Sequence, residues 1–243
     1  MPAQLFNMAN AYFQCKQFRI EQGHCAQKVS ETACIQGAWT PVPEKARYAL
    51  DIGSGTGLLS LMLAQRFSCL QLDAIELDSS TFEQGKQNIS SSVFHSQIHC
   101  MQGDVRTLST QRPYDFIISN PPFFENQLKS ADAKSNLAKH ATGLSLQELL
   151  ICIDRLLHQE GSFSLLFPFS RFQECEGKAV DIGFYLQQVL IVKHTELAIP
   201  KVFVAIFSRC KSTQIQEEVL IIKNDLQYTN TMKNLLADFY LQG

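Results

Sequence analysis

A chain of 243 residues with 45% apolar side chains is long enough for one large α/β domain with small additions at its ends. Its formal charge of −2 provides no global field that would draw it onto nucleic acid, so an RNA partner would need a local basic patch. Apolar runs stop short of the roughly 18 residues of a membrane span, and eight scattered cysteines without a Cys-x-x-Cys pair argue against zinc and disulfide frameworks. With no basic stretch and apolar h-region at the start, the expectation is a cytoplasmic, monomeric protein with reduced thiols, no metal and no membrane. His95 and His99 stand four apart, but they flank an expected strand and lack the Glu of a metalloprotease helix.

In chain order, residues 1–45 do not fit the alternation that follows. They are aromatic-rich (Phe6, Tyr12, Phe13, Phe18, Trp39), close on Pro41 and Pro43, and are expected to form a separate N-terminal element. From 46 to 243 short apolar runs alternate with helical patterns, which predicts a mostly parallel sheet with helices on both faces. Strands are expected at Tyr48–Ile52, Leu70–Leu77, Ile98–Met101, Tyr114–Ser119, Ser162–Phe167, Phe184–Val192 and Val202–Phe207, with a further one at Val219–Ile222. Helices are expected at Leu58–Phe67, at Ser79–Ile89 with Asp78 or Ser79 as its cap, at Leu146–His158 stopping at Gly161, and at Thr229–Leu241.

Asp51-Ile52-Gly53-Ser54-Gly55-Thr56-Gly57 leaves the first strand and enters a helix. Glycines there allow a tight turn and let a ligand press against bare backbone. Glu76 ends the second strand, 76 − 57 = 19 residues past the last glycine, where a carboxylate can accept from both hydroxyls of a ribose. Leu58 stands where a dinucleotide turn wants its third glycine, and Asp51 would set an anion near phosphate. The pattern favours a nucleoside cofactor without phosphates. It resembles the glycine motif of Rossmann-like S-adenosylmethionine methyltransferases over about Tyr48 to Phe207. That resemblance implies a seven-stranded sheet, with S-adenosyl-L-methionine held by Asp51, Gly53, Gly55, Gly57 and Glu76, and Asp104 at its adenine. Asp104 also suits a plain turn.

Ser119-Asn120-Pro121-Pro122-Phe123 ends the fourth strand. Two prolines fix φ and remove two donors, Asn120 adds an acceptor oxygen, and Phe123 offers a flat face for a base. A strand-ending turn would suit the same residues. Their place one strand after the glycine turn, the ribose carboxylate and Gly103-Asp104 favours a catalytic loop. The loop resembles the [Asn/Asp]-Pro-Pro-[Tyr/Phe] motif of methyltransferases acting on amino groups of adenine, guanine or glutamine. That likeness makes Asn120, Pro121, Pro122 and Phe123 the candidate catalytic residues, with Asn120 also beside the cofactor.

Lys16-Gln17-Phe18, Gln22, Cys25 to Val29, Gly37-Ala38-Trp39 and the tail Tyr228-Thr229 to Asp238-Phe239-Tyr240-Leu241 are similar to blocks of the bacterial tRNA(Val) adenine-N6-methyltransferases. The resemblance then spans nearly the whole chain. It implies methylation of the adenine 3′ of the anticodon, with the tRNA anticodon loop as partner and residues 1–45 packed over the cofactor and RNA site. In the first block that family usually reads Lys-Val-Gly-Thr-Asp-Gly, whereas this chain has Lys28-Val29-Ser30-Glu31-Thr32-Ala33, a stretch expected to close over the cofactor. Lys129, Lys134 and Lys139 are candidate phosphate contacts at the mouth. The competing readings are a guanine-N2 RNA methyltransferase, a glutamine-N5 protein methyltransferase and an RNA chaperone without turnover.

Overall fold

A computed structural model describes residues 11–23, 28–121 and 143–240. A short hairpin comes first, from β1 (Tyr12–Gln14) and β2 (Arg19–Glu21), followed by helix α1 (Glu31–Trp39). The central sheet then begins with β3 (Tyr48–Ile52), α2 (Leu58–Arg66), β4 (Gln71–Glu76), α3 (Ser79–Ser90), β5 (Ile98–Gln102) and β6 (Tyr114–Ser119). It continues through α4 (Leu146–Leu156), β7 (Leu157–Pro168), α5 (Phe172–Ile182), β8 (Tyr185–Lys193), β9 (Pro200–Ser208) and β10 (Gln216–Ile221). A hairpin of β11 (Lys223–Asn224) and β12 (Gln227–Tyr228) and the helix α6 (Asn230–Leu235) close the chain.

The strand order is β10-β8-β9-β7-β6-β3-β4-β5. Only β9 runs against its neighbours, so the ends of β3, β4, β5 and β6 share one edge with those of β7, β8 and β10. The sheet therefore has eight strands where seven were expected. The addition is β10, which lies parallel on β8 and pairs an edge that would otherwise stay open. Both faces are covered, as the near-continuous apolar strands require. One face packs Leu149, Ile153 and Cys175 of α4 and α5 on Phe163, Phe203 and Phe207. The other packs Leu61 and Met62 of α2, Ile35 of α1 and Met232 of α6 on Ala49, Phe116 and Val204. Cys15, Phe18 and Ile20 belong to that second core, so the described part of residues 1–45 shares its apolar interior with the main body.

Sequence signals set most helix starts. Asp78 accepts from Thr81 N–H, Thr229 from Met232 N–H, and Ser145 with Glu148 forms a reciprocal capping box. Two expectations shift. The final helix is a short one, and helix α4 does not run to Gly161. The chain turns extended at Leu157, and Gly161 lies inside β7 at a bulge opposite Tyr114 and Phe116. A Cβ there would sit 2.9 Å from the Asp115 carbonyl oxygen, so this glycine answers a close backbone approach rather than a helix end. Among the described residues no helix is long and apolar enough to cross a membrane, and no cluster of three His, Cys, Asp or Glu side chains could hold a metal.

Candidate functional site

The glycine turn works as a rigid cradle because every glycine in it is used. Gly53, Gly55 and Gly57 have φ of 70°, 58° and 82°, a region that side chains with a Cβ avoid. Gly53 N–H and Ser54 N–H both donate to the Ile75 carbonyl, at 2.9 and 3.0 Å, tying the turn to the end of β4. Helix α3 closes it from behind. A Cβ on Gly85 would stand 2.4 Å from the Gly55 carbonyl oxygen, and the buried Asn88 side chain donates to the carbonyls of Thr56 (3.0 Å) and Glu21 (2.9 Å).

Glu76 lies at the end of β4, beside the turn. Its Oε2 accepts from Gly55 N–H at 3.0 Å and its Oε1 from Asp78 N–H at 2.9 Å. Both oxygens are thereby oriented. Asp104 follows β5, and its carboxylate is gripped by the Arg106 guanidinium, with Nε 2.9 Å and Nη2 2.7 Å from Oδ2. The Arg106 hydrogen bonds hold this carboxyl below the usual range. Arg106 also reaches Glu148 of the α4 capping box, at 3.3 Å.

Asn120 and Pro121 follow β6 on the same edge. The Asn120 Oδ1 atom is buried and has no hydrogen-bond partner among the described residues, a state that costs about 1–3 kcal/mol unless a ligand donor meets it. The peptide just before it is held firmly. Gln36 of α1, fully buried, donates through Nε2 to the Ser119 carbonyl at 3.1 Å and to Ser164 Oγ at 3.2 Å, and Thr40 joins Ser164 at 3.0 Å. The Ser119 hydroxyl donates to the Ile52 carbonyl at 2.8 Å.

These groups line one cleft of about 670 Å³, which holds Gly53, Gly55, Glu76, Asp104, Arg106, Asn120 and Pro121 among its walls. Two expected cofactor residues stand behind the wall rather than in it. Gly57 is the N-cap position of α2 and faces Ile89. Asp51 is fully buried, and its Oδ2 accepts from Ser60 N–H (3.1 Å) and Ser60 Oγ (2.7 Å). It thus supplies the acceptor for the first turn of α2 that the side-chain-free Gly57 does not. Its other oxygen has no hydrogen-bond partner among the described residues. Pro122, Phe123, Lys129, Lys134 and Lys139 lie outside the described residues. Arg106, Gly85, Asn88 and Gln36 were missed from the sequence; a cation two residues after Gly-Asp was the one available signal, for Arg106.

Burial raises the Asp51 carboxyl to about 7, against the lowering effect of Ser60, and the nearby Glu76 charge adds to the rise. The folded chain then holds this proton more tightly than the unfolded chain does. That stabilisation is complete below the ordinary carboxyl value of 3.8 and is lost as pH rises through about 7. Asp51→Asn removes the effect. In thermal melts without cofactor, from about pH 5 to about pH 8, wild type should lose ground steadily relative to the variant. Parallel melting curves would contradict the burial reading.

A family model described as "Methyltransferase small domain" matches residues 39–183. The chain is 38% identical over 240 residues to a Dyadobacter fermentans protein named tRNA1(Val) (adenine(37)-N6)-methyltransferase, covering 96% of this chain and 98% of the relative. A relative of the same name from Bacteroides fragilis is 36% identical over 238 residues, covering 97% of this chain and all (100%) of the relative. Among solved structures, a predicted O-methyltransferase from Agrobacterium tumefaciens superposes with a TM-score of 0.64 at 13% identity, over 85% of this chain and 95% of that one. At that identity the likeness speaks for the fold alone.

Proposed function

The chain belongs to the methyltransferase small-domain family and, within it, to the tRNA1(Val) (adenine(37)-N6)-methyltransferases, and from that premise we propose how its cleft methylates the adenine 3′ of the anticodon. The cofactor is S-adenosyl-L-methionine, which supplies an electrophilic methyl group on a positively charged sulfur. The wall of the cleft fits it. Gly53 and Gly55 present bare backbone to the methionine part, Glu76 receives the ribose hydroxyls, and Asp104, fixed by Arg106, stands at the adenine end. Asp51 supports the turn from within and sets a buried carboxyl group behind the amino end.

The observation that carries the reading is the buried, unpartnered Asn120 Oδ1 beside Pro121 in the cleft that Glu76 lines. The exocyclic amine of adenine is a poor nucleophile, because its lone pair is spread into the ring. Asn120 Oδ1 accepts one amine hydrogen and the Pro121 carbonyl the other, which draws the nitrogen towards tetrahedral geometry and frees its lone pair. The amine hydrogens become acidic as the nitrogen takes up the methyl group and its positive charge, so one proton passes to water after transfer and no dedicated base is required before it. Gln36 ties α1 to the peptide that precedes Asn120 and so helps to hold the start of the loop in place. A tRNA substrate and the unpaired thiols of the described cysteines fit a cytoplasmic enzyme.

Labelled cofactor incubated with unmodified total tRNA, followed by nucleoside analysis, tests the reading. N6-methyladenosine is expected. Label in N2-methylguanosine, in protein, or nowhere would instead favour the guanine enzyme, the glutamine enzyme or a chaperone.

A further inference from the structure

The three most exposed large apolar side chains of the described residues lie on two loops that leave the same edge of the sheet. Leu197 is 98% exposed, Leu226 92% and Ile199 87%. Leu197 and Ile199 crown the loop between β8 and β9, and Leu226 crowns the β11–β12 hairpin. These tips are not loose. Ile222 N–H donates to the Lys193 carbonyl and Lys223 N–H to the His194 carbonyl, both at 2.9 Å, so the base of the hairpin is bonded to the end of β8, where the other loop begins. The Ala198 N–H bonds the Thr195 carbonyl at 3.1 Å, and the Lys193 ammonium bonds the Glu196 carbonyl. Isolated apolar side chains on a surface need no explanation, but three of this exposure on two loops joined at their bases do.

Both loops sit on the edge of the sheet that carries Asn120, because β8 and β10 run the same way as β6. With strands about 4.8 Å apart, β8 lies three strands or roughly 14 Å from β6, and β10 four strands or roughly 19 Å. The two halves of that edge differ in charge. The cleft is walled by Glu76, Asp78 and Asp104 with Arg106 as the cation among its lining residues. The apolar tips are flanked by Lys193, Lys201 and Lys223, against Glu196 and Asp225. Polyanionic RNA reaching into the cleft is repelled over the first half and accommodated over the second.

We propose that these two tips form a docking surface for the arm of the tRNA whose base enters the cleft, the apolar side chains packing on unpaired bases and the lysines meeting phosphates. The assignment rests on the tRNA reading above. The hairpin is also wired to the catalytic side. Lys223 lies 5.3 Å over the Tyr228 ring, whose hydroxyl donates to Glu31 at the start of α1 at 2.8 Å, and α1 carries Gln36.

The test is tRNA binding by the full chain with Leu197, Ile199 and Leu226 all changed to Ser, and separately with Lys201→Ala and Lys223→Ala. The serine variant should bind unmodified tRNA about tenfold more weakly, with melting temperature, cofactor affinity and the rate at saturating tRNA retained. The lysine variant should flatten the slope of log affinity against log salt by roughly 1.5. Wild-type tRNA affinity and salt slope in both variants would overturn the surface. So would a serine variant whose tRNA binding is intact while its self-association or its binding to anionic lipid vesicles changes. A wild-type chain that methylates tRNA while the serine variant binds it unchanged sinks this surface alone; one that binds no tRNA sinks the proposed function as well.

Discussion

Asn120→Ala should slow single-turnover methyl transfer by a factor of about 10² to 10³ while leaving cofactor and tRNA binding nearly unchanged. The split follows from where Oδ1 acts. It is buried and unpartnered among the described residues, and its acceptor strength matters most as the amine becomes tetrahedral and its hydrogens more acidic. Ser119, immediately before it, is anchored by Gln36 and Ile52, so the alanine variant loses the oxygen without losing the loop's base. Asn120→Asp keeps an acceptor of the same size and should retain more activity than alanine. A wild-type rate in Asn120→Ala would make the loop a structural turn.

Glu76→Ala should weaken cofactor binding by about 2–4 kcal/mol, thirtyfold or more, with the chain still folded. Two losses combine. The ribose hydroxyls lose a charged acceptor, and Gly55 N–H and Asp78 N–H lose the carboxylate that fixes the turn and the start of α3. Glu76→Gln separates the two, since the amide oxygen still accepts from Gly55 N–H while the charge is gone. It should therefore lie between wild type and alanine. Calorimetry that finds unchanged affinity in folded Glu76→Ala would remove the ribose assignment.

Much of this site was legible because local chemistry wrote it. A glycine run after a strand, a carboxylate at the next strand's end and Asn-Pro-Pro-Phe after the fourth are short-range signals, and the sheet brings the first two and Asn120-Pro121 to one edge. What escaped depends on contacts across the fold. The bond by which Asp51 caps α2 from nine residues away in sequence is one that only the closed turn creates. Gly85 looks like an ordinary helix glycine until α3 is laid on the Gly55 carbonyl. Gln36 reaches Ser119 across 83 residues. Gly161 mimicked a helix stop because glycine serves both a helix end and a tight strand crossing. The place of β10 beside β8 was equally hidden, since an edge strand's partner is chosen by the whole sheet.

The most direct measurement compares two transcripts of unmodified tRNA(Val), one natural and one with the adenine 3′ of the anticodon replaced by guanine. With labelled cofactor and this chain, one methyl group per molecule of the natural transcript is expected, recovered as N6-methyladenosine, and none on the replaced one. Equal labelling of the two transcripts, or label on any other base, would contradict that expectation.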